Sequence, residues 1–296
     1  MLQAQSHFIP LANTDDKIHI KRFFKDANAK PMFCLHGSIE NGRIFYSKDF
    51  EKGLAPFFAK NGYDVFVADM RGKGKSTPKI SASSKYGMYD CIDKTIPAIV
   101  KFIQELKGKT AQTWVAHSWG GNLLNCFLIK KPNFVNVEKA VFFGVKRKIT
   151  INNPTKWYML NYGWHFMGKR WLKQFGYLPF GDKKLGGDNE PKLFYEEIND
   201  WIKGDWIDKQ DGFNYAQKVE NINLPKSLWL AGKNDKVLGH PKDVKKTMTE
   251  TKNAKSEFWL LGKANGFKNN YGHNDMLIHK DCVNDIFPKV LKWLNK

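Results

Sequence analysis

Ser118 lies in the stretch Thr113-Trp114-Val115-Ala116-His117-Ser118-Trp119-Gly120-Gly121-Asn122, where an apolar run reaches a serine flanked by small residues and a helical pattern follows. This order reads as strand, sharp turn, helix. In a nucleophile elbow, G-x-S-x-G, such a turn lifts the serine hydroxyl above the sheet. Ala116 stands where that pattern has glycine, and alanine is the least bulky alternative. A serine hydroxyl is a poor nucleophile at neutral pH, so it needs a base within hydrogen-bond reach and an acid that orients the base. Asp235 follows the apolar run Ser227 to Gly232, and His273 follows the loop after the next run. The order Ser118, Asp235, His273 is the one expected of a triad mounted on a mostly parallel sheet.

In that arrangement His273 takes the proton from Ser118 and returns it to the leaving group, while Asp235 holds the imidazole tautomer. A developing oxyanion needs two preorganised N–H donors. Trp119 supplies one from the backbone at a helix N-terminus, and Ser38, in His36-Gly37-Ser38, supplies the other. The bland alternatives are a loop histidine without a role for His273 and a turn former after Asn234 for Asp235. His240 comes too soon after Asp235 to be the base, and His279 is expected inside the closing helix. Asp205, Asp208 and Asp211 are rival acids in the segment read below as a cap. His36 and His117 are expected to be structural, bonding nearby loops.

The elements that must position these groups can be read from periodicity. Lys17 to Phe23 alternates polar and apolar, as a half-buried antiparallel edge strand does. Short continuous apolar runs at Pro31–Leu35, Asp64–Ala68, Lys139–Gly144, Ser227–Gly232 and Ser256–Leu261 suit strands buried on both faces of a parallel sheet. Helical patterns fall at Lys48–Asn61, at Tyr86–Leu106 with a kink expected at Pro97, at Trp119–Lys130, at Pro241–Thr251 and at the C-terminus. The fold class is therefore α/β, a mostly parallel central sheet with helices on both faces. The rhythm stops after Val145. Thr150 to Val219 shows no clean strand and holds half of the ten tryptophans, so 146–220 is expected to be an inserted, mainly helical cap between core segments 1–145 and 221–296. Its aromatics either form only the cap's own core or also line an apolar ligand pocket.

The Gly74-Lys75-Ser76 sequence after a strand suggests a phosphate-binding loop, but Asp69 stands where that loop needs glycine, and Pro78 argues against a following helix. The net charge of +19 would attract nucleic acid, anionic lipid headgroups or acidic substrates. The lysines are spread along the chain, and no nucleic-acid motif accompanies them. No specific nucleic-acid partner is expected; a lysine-rich solvated surface is the reading preferred, with weak association with an anionic membrane surface as the alternative. Cys34, Cys91, Cys126 and Cys282 follow no metal or disulfide spacing, which suits buried free thiols in a reducing compartment. No secretory signal is read at Met1–Pro10, so a cytoplasmic location is expected.

Taken together, His36-Gly37, Asp69-x-Arg71-Gly72-x-Gly74-x-Ser76, His117-Ser118-Trp119-Gly120-Gly121, Gly232-x-x-Asp235 and Gly272-His273 resemble the α/β-hydrolase superfamily. The resemblance implies a cap inserted after the strand ending near Val145, hydrolysis through an acyl-enzyme, and no cofactor or metal. It makes the loop from Asp69 to Ser76 structural. A serine at the elbow sets the chain apart from the haloalkane dehalogenase and epoxide hydrolase branches, whose nucleophile is an aspartate. His273-Asn274-Asp275 and the helix near Tyr89–Ile103 are loosely similar to the acid-lipase branch. The expected activity is cleavage of a carboxylic ester with an apolar or lipid-like acyl group. A thioesterase, an amidase or a non-catalytic binding protein are the alternatives on the same fold.

Overall fold

The computed structural model describes residues 1–296. Eight strands form one sheet in the order β1-β2-β4-β3-β5-β6-β9-β10. They are β1 (Gln3–Pro10), β2 (Lys17–Phe24), β3 (Lys30–Leu35), β4 (Tyr63–Ala68), β5 (Gln112–His117), β6 (Val137–Phe143), β9 (Lys226–Gly232) and β10 (Ser256–Leu261). β1 pairs antiparallel with β2, and β2 with β4. All other pairings are parallel. The short apolar runs become the central strands because helices cover both faces. Phe33, Trp114, Phe142 and Trp229 face one core layer, and Met32, Val115, Val141 and Leu230 face the other.

Three local expectations are corrected. β2 is not the edge strand: Gln3–Pro10 pairs along its whole length and leaves it largely buried. The helix expected over Lys48–Asn61 is only Leu54–Lys60, because Phe50 and Gly53 both take positive φ, at 62° and 108°. His279 lies between the short helix Asp275–Ile278 and the 3-10 turn Lys280–Asn284, not inside the closing helix, which runs Ile286–Leu294. The helix that carries Pro97 runs from 88 to 107, as its apolar pattern suggests, with a π-type turn over Cys91–Thr95 one turn before the proline. That wider turn absorbs the clash a proline ring makes with the preceding turn.

The segment between β6 and β9 is helical at 154–175 and 192–203, with a two-stranded hairpin of β7 (Tyr177–Leu178) and β8 (Glu190–Pro191) between them. The hairpin was missed because each strand has two residues, too few for any periodicity. Glu190, 0% exposed, is anchored on residues outside the insertion. Its Oε2 accepts hydrogen bonds from Ser38 Oγ (2.5 Å), Ile39 N–H (2.7 Å) and Lys73 Nζ (2.8 Å). Asp188 accepts from the Asn41 amide and from Gly74 N–H. The insertion is thus fastened to the loops after β3 and β4. All four cysteines are buried and free. No helix is long and apolar enough to cross a membrane.

Candidate active site

Ser118 follows the last residue of β5 and precedes the helix Trp119–Lys130. Its φ is 50° and ψ −126°, a conformation that costs a non-glycine residue about 1–3 kcal/mol. The strain is held from both sides. Ala116 pairs with Leu35 of β3 and Phe142 of β6, and Ser118 N–H donates to Phe143 O at 2.8 Å. Alanine at position 116 therefore permits the elbow. The loop after β3 passes so close that a Cβ on Gly37 would stand 2.8 Å from the Ser118 Cβ.

Asp235 and His273 come together from separate strand ends. His273 Nδ1–H donates to Asp235 Oδ2 at 2.6 Å, with both side chains mostly buried. Burial alone would raise the Asp235 carboxyl, but His273 and the N–H groups of Gly239 and Val237 outweigh it and hold it below its ordinary range. The imidazole lies against Gly144, whose φ is +62° and whose added Cβ would meet the ring at 2.9 Å. Gly144 immediately follows Phe143, the residue that accepts from Ser118. Ser118 and His273 therefore flank the same end of β6. His273 Nε2 makes no hydrogen bond within the protein, and Ser118 Oγ makes none either. The backbone N–H groups of Ser38 and Trp119 are also without a partner in the protein, whereas Ser38 Oγ is held by Glu190.

A second histidine–carboxylate pair, not foreseen in the sequence, borders the first. His117 Nδ1–H donates to Glu40 Oε2 at 2.8 Å, and its Nε2 lies 3.3 Å from the carbonyl of His273. The two imidazoles are 4.6 Å apart. Burial lowers His117, but Glu40 raises it more, so its value ends above the ordinary 6.5. Burial raises Glu40, and His117, His273 and Gly37 N–H reverse this and bring it down to about 2. An acceptor at each ring nitrogen favours the doubly protonated form of His117, in keeping with the upward shift. The expectation that it bonds nearby loops agrees with these contacts. Glu40 was overlooked because nothing in its spacing distinguishes it; its only signal is its place four residues after His36 in the loop that also carries Ser38.

The remaining candidates lie elsewhere. His36 donates from Nδ1 to Gly37 O and accepts from Met70 N–H at Nε2, tying two loops. His240 caps the helix Pro241–Glu250, and Asp208 and Asp211 pair with Lys130. The Asp69–Ser76 loop wraps its own carboxylate. Asp69 accepts from Gly42 N–H, Lys75 N–H and His19, and Ser76 Oγ donates to Asp69 O. With Lys75 N–H already given to Asp69 and Gly74 N–H to Asp188, the loop's amides serve carboxylates of the protein itself, and it is not a phosphate cradle.

The profile of the alpha/beta hydrolase fold matches residues 30–201. The chain belongs to this family. Among solved structures, it is similar over 98% of both chains to carboxylesterases of the Thaumarchaeon Nitrososphaera gargenis, at 15% identity and TM-score 0.62. It is similar to the carboxylesterase CesB of Bacillus subtilis at 17% identity and TM-score 0.59, covering 99% of this chain and 92% of that one. It is also similar to the thioesterase domain of the curacin biosynthetic pathway, at 14% identity and TM-score 0.58, covering 98% and 99%. No curated protein sequence matches. At these identities the structures speak for the alpha/beta hydrolase fold and not for a substrate.

Proposed function

We propose that the protein is a serine hydrolase that cleaves carboxylic esters through an acyl-enzyme. The observation that carries the reading is the 2.6 Å His273–Asp235 hydrogen bond, which leaves Nε2 without a partner, at the same end of β6 as a serine in a strained elbow. In this reading Asp235 fixes the proton on Nδ1, so Nε2 keeps a lone pair for the proton of Ser118. Ser118 Oγ attacks the ester carbonyl as His273 Nε2 removes its proton. The unpaired N–H groups of Ser38 and Trp119 receive the oxyanion. Collapse expels the alcohol, which takes the proton from His273. Water, deprotonated by the same nitrogen, then attacks the acyl-serine and releases the acid.

The 146–220 insertion serves as the cap in this reading. Its Glu190 grips Ser38 and Ile39, so the cap sets the loop that carries one oxyanion donor. Its aromatic content favours an apolar acyl group. Labelling with a fluorophosphonate, wild type beside Ser118→Ala and read by mass spectrometry, tests the nucleophile. Modification at Ser118 alone is expected, and an unlabelled but folded wild type would refute the mechanism. A chain-length series of p-nitrophenyl esters tests the acyl preference, which fails if kcat/KM is flat or falls beyond acetate.

A further inference from the structure

The aromatics of the insertion divide in a way that neither expectation covered. Trp171, Phe194, Tyr195, Trp201, Trp206 and Tyr215 are buried. Trp157, Tyr158, Tyr162 and Phe166 face outward, 62, 65, 43 and 53% exposed. All four lie on the unbroken helix 154–175, most of whose first half is π-wound. This winding lines up residues four apart. Tyr158 stacks on Tyr162 with ring centres 5.8 Å apart, and Tyr162 on Phe166 at 5.7 Å. One step further along the row is Arg170, flanked by Lys169 and Lys173, all exposed. The opposite side of the helix, with Leu160, Gly168 and Trp171, packs inward.

We propose that this helix face docks the protein on an anionic lipid bilayer, with the aromatic row entering the headgroup layer and the basic end contacting lipid phosphates and carboxylates. Three observations support a lipid surface as the occupant. The helix carries Lys156, Lys169, Arg170 and Lys173 and no Asp or Glu. None of these four cations enters an ion pair, although other lysines of the protein do. The exposed rings include one Trp and two Tyr, whose apolar bodies and polar tips suit the membrane–water boundary. A basic helix end beside an aromatic face is the arrangement of helices that lie in that boundary, and the overall charge of +19 adds long-range attraction. This docking stands independently of the hydrolytic reading.

The test is flotation of the wild-type protein with vesicles of ether-linked lipids, which hold no ester to cleave. One set is pure phosphatidylcholine and the other contains phosphatidylserine. Binding to the anionic set alone is expected, together with a blue shift of tryptophan emission. Tyr158→Ser/Tyr162→Ser/Phe166→Ser and Lys169→Glu/Arg170→Glu/Lys173→Glu alter only exposed side chains and should fold. The first should weaken binding at least tenfold, and the second roughly a hundredfold. Both should hydrolyse a soluble short-chain ester, or take up fluorophosphonate, as the wild type does. Equal binding by wild type and both variants would overturn the proposal and place any attraction in the dispersed lysines. Absent or charge-independent binding would also overturn it. So would a dimer in light scattering that the aromatic variant dissociates, or retention on single-stranded RNA in preference to vesicles.

Discussion

Two histidine–carboxylate pairs stand side by side at the carboxyl ends of the strands, and they differ in one hydrogen bond. In both, a ring Nδ1 meets a carboxylate oxygen, at 2.6 Å for His273–Asp235 and 2.8 Å for His117–Glu40. The Nε2 of His117 is committed to the carbonyl of His273, while the Nε2 of His273 has no partner in the protein. The first ring is a brace between two partners, and the second keeps a lone pair to offer. An imidazole beside a carboxylate therefore does not by itself mark a general base. The second nitrogen decides. The brace also acts on the other pair, because it grips the backbone of the residue whose side chain is the proposed base, and Glu40 simultaneously accepts from Gly37 N–H at 2.9 Å in the loop of the proposed oxyanion donor.

The sharpest way to break this comparison is to remove each ring. Ser118→Ala and His273→Ala should each lower kcat/KM for p-nitrophenyl butyrate by roughly 10⁴-fold or more. Asp235→Asn should cost about 10³- to 10⁴-fold, since the wrong tautomer is then favoured. His117→Gln and Glu40→Gln should cost only about 10- to 100-fold, as positioning residues. If His117→Gln loses as much activity as His273→Ala while remaining folded, the assignment of brace and base is wrong. The pH dependence of kcat/KM separates the two further. His117→Gln should keep the shape of the wild-type profile at a lower amplitude, whereas a loss of the limb due to a base would show that His117 titrates in catalysis.

Stability against pH sharpens the same contrast. Glu40 is lowered from 4.5 to about 2 on folding, so its contribution is present above pH 4.5 and is lost as pH falls toward 2. His117 is raised, so its contribution is full below pH 6.5 and is lost as pH rises through its folded value. The difference in Tm between wild type and Glu40→Gln should be widest between pH 4.5 and 6.5, by several degrees. A gap that does not change with pH would show that the pair is not ionised.

The smallest effect concerns a cation close to the elbow. The buried Lys146 ammonium makes no hydrogen bond or ion pair and lies 5.1 Å from the centre of the Trp119 ring. Burial lowers it from 10.5 to about 8, with Asp235 and Asp243 offsetting part of the fall. An unfolded chain binds this proton up to pH 10.5, so the folded protein is penalised below pH 8 and relieved as pH rises to 10.5. Lys146→Met should therefore stabilise the protein by roughly 2 kcal/mol at pH 7. The gain should shrink across pH 8 to 10.5 in denaturant titrations, and a destabilised variant would show that the cation–π contact outweighs desolvation.

Much of this was legible in the chain because local physics wrote it there. The central strands are buried on both faces, so they read as unbroken apolar runs. The elbow is a local turn, and its serine and glycines follow one another. Ser118, Asp235 and His273 could be ordered because each closes or follows such a run. Only the folded chain could decide which groups from distant segments share a hydrogen bond. Glu40 and His117 are 77 residues apart, and Ser38 and Glu190 are 152 apart. Neither carboxylate sits in a pattern, since an ion pair across loops has no period. Tertiary packing also made β2 an inner strand, shortened the helix after Phe50 and turned Trp157, Tyr158, Tyr162 and Phe166 outward. Composition counts aromatic residues, but the side a helix turns to its neighbours depends on its winding and on what lies beneath it.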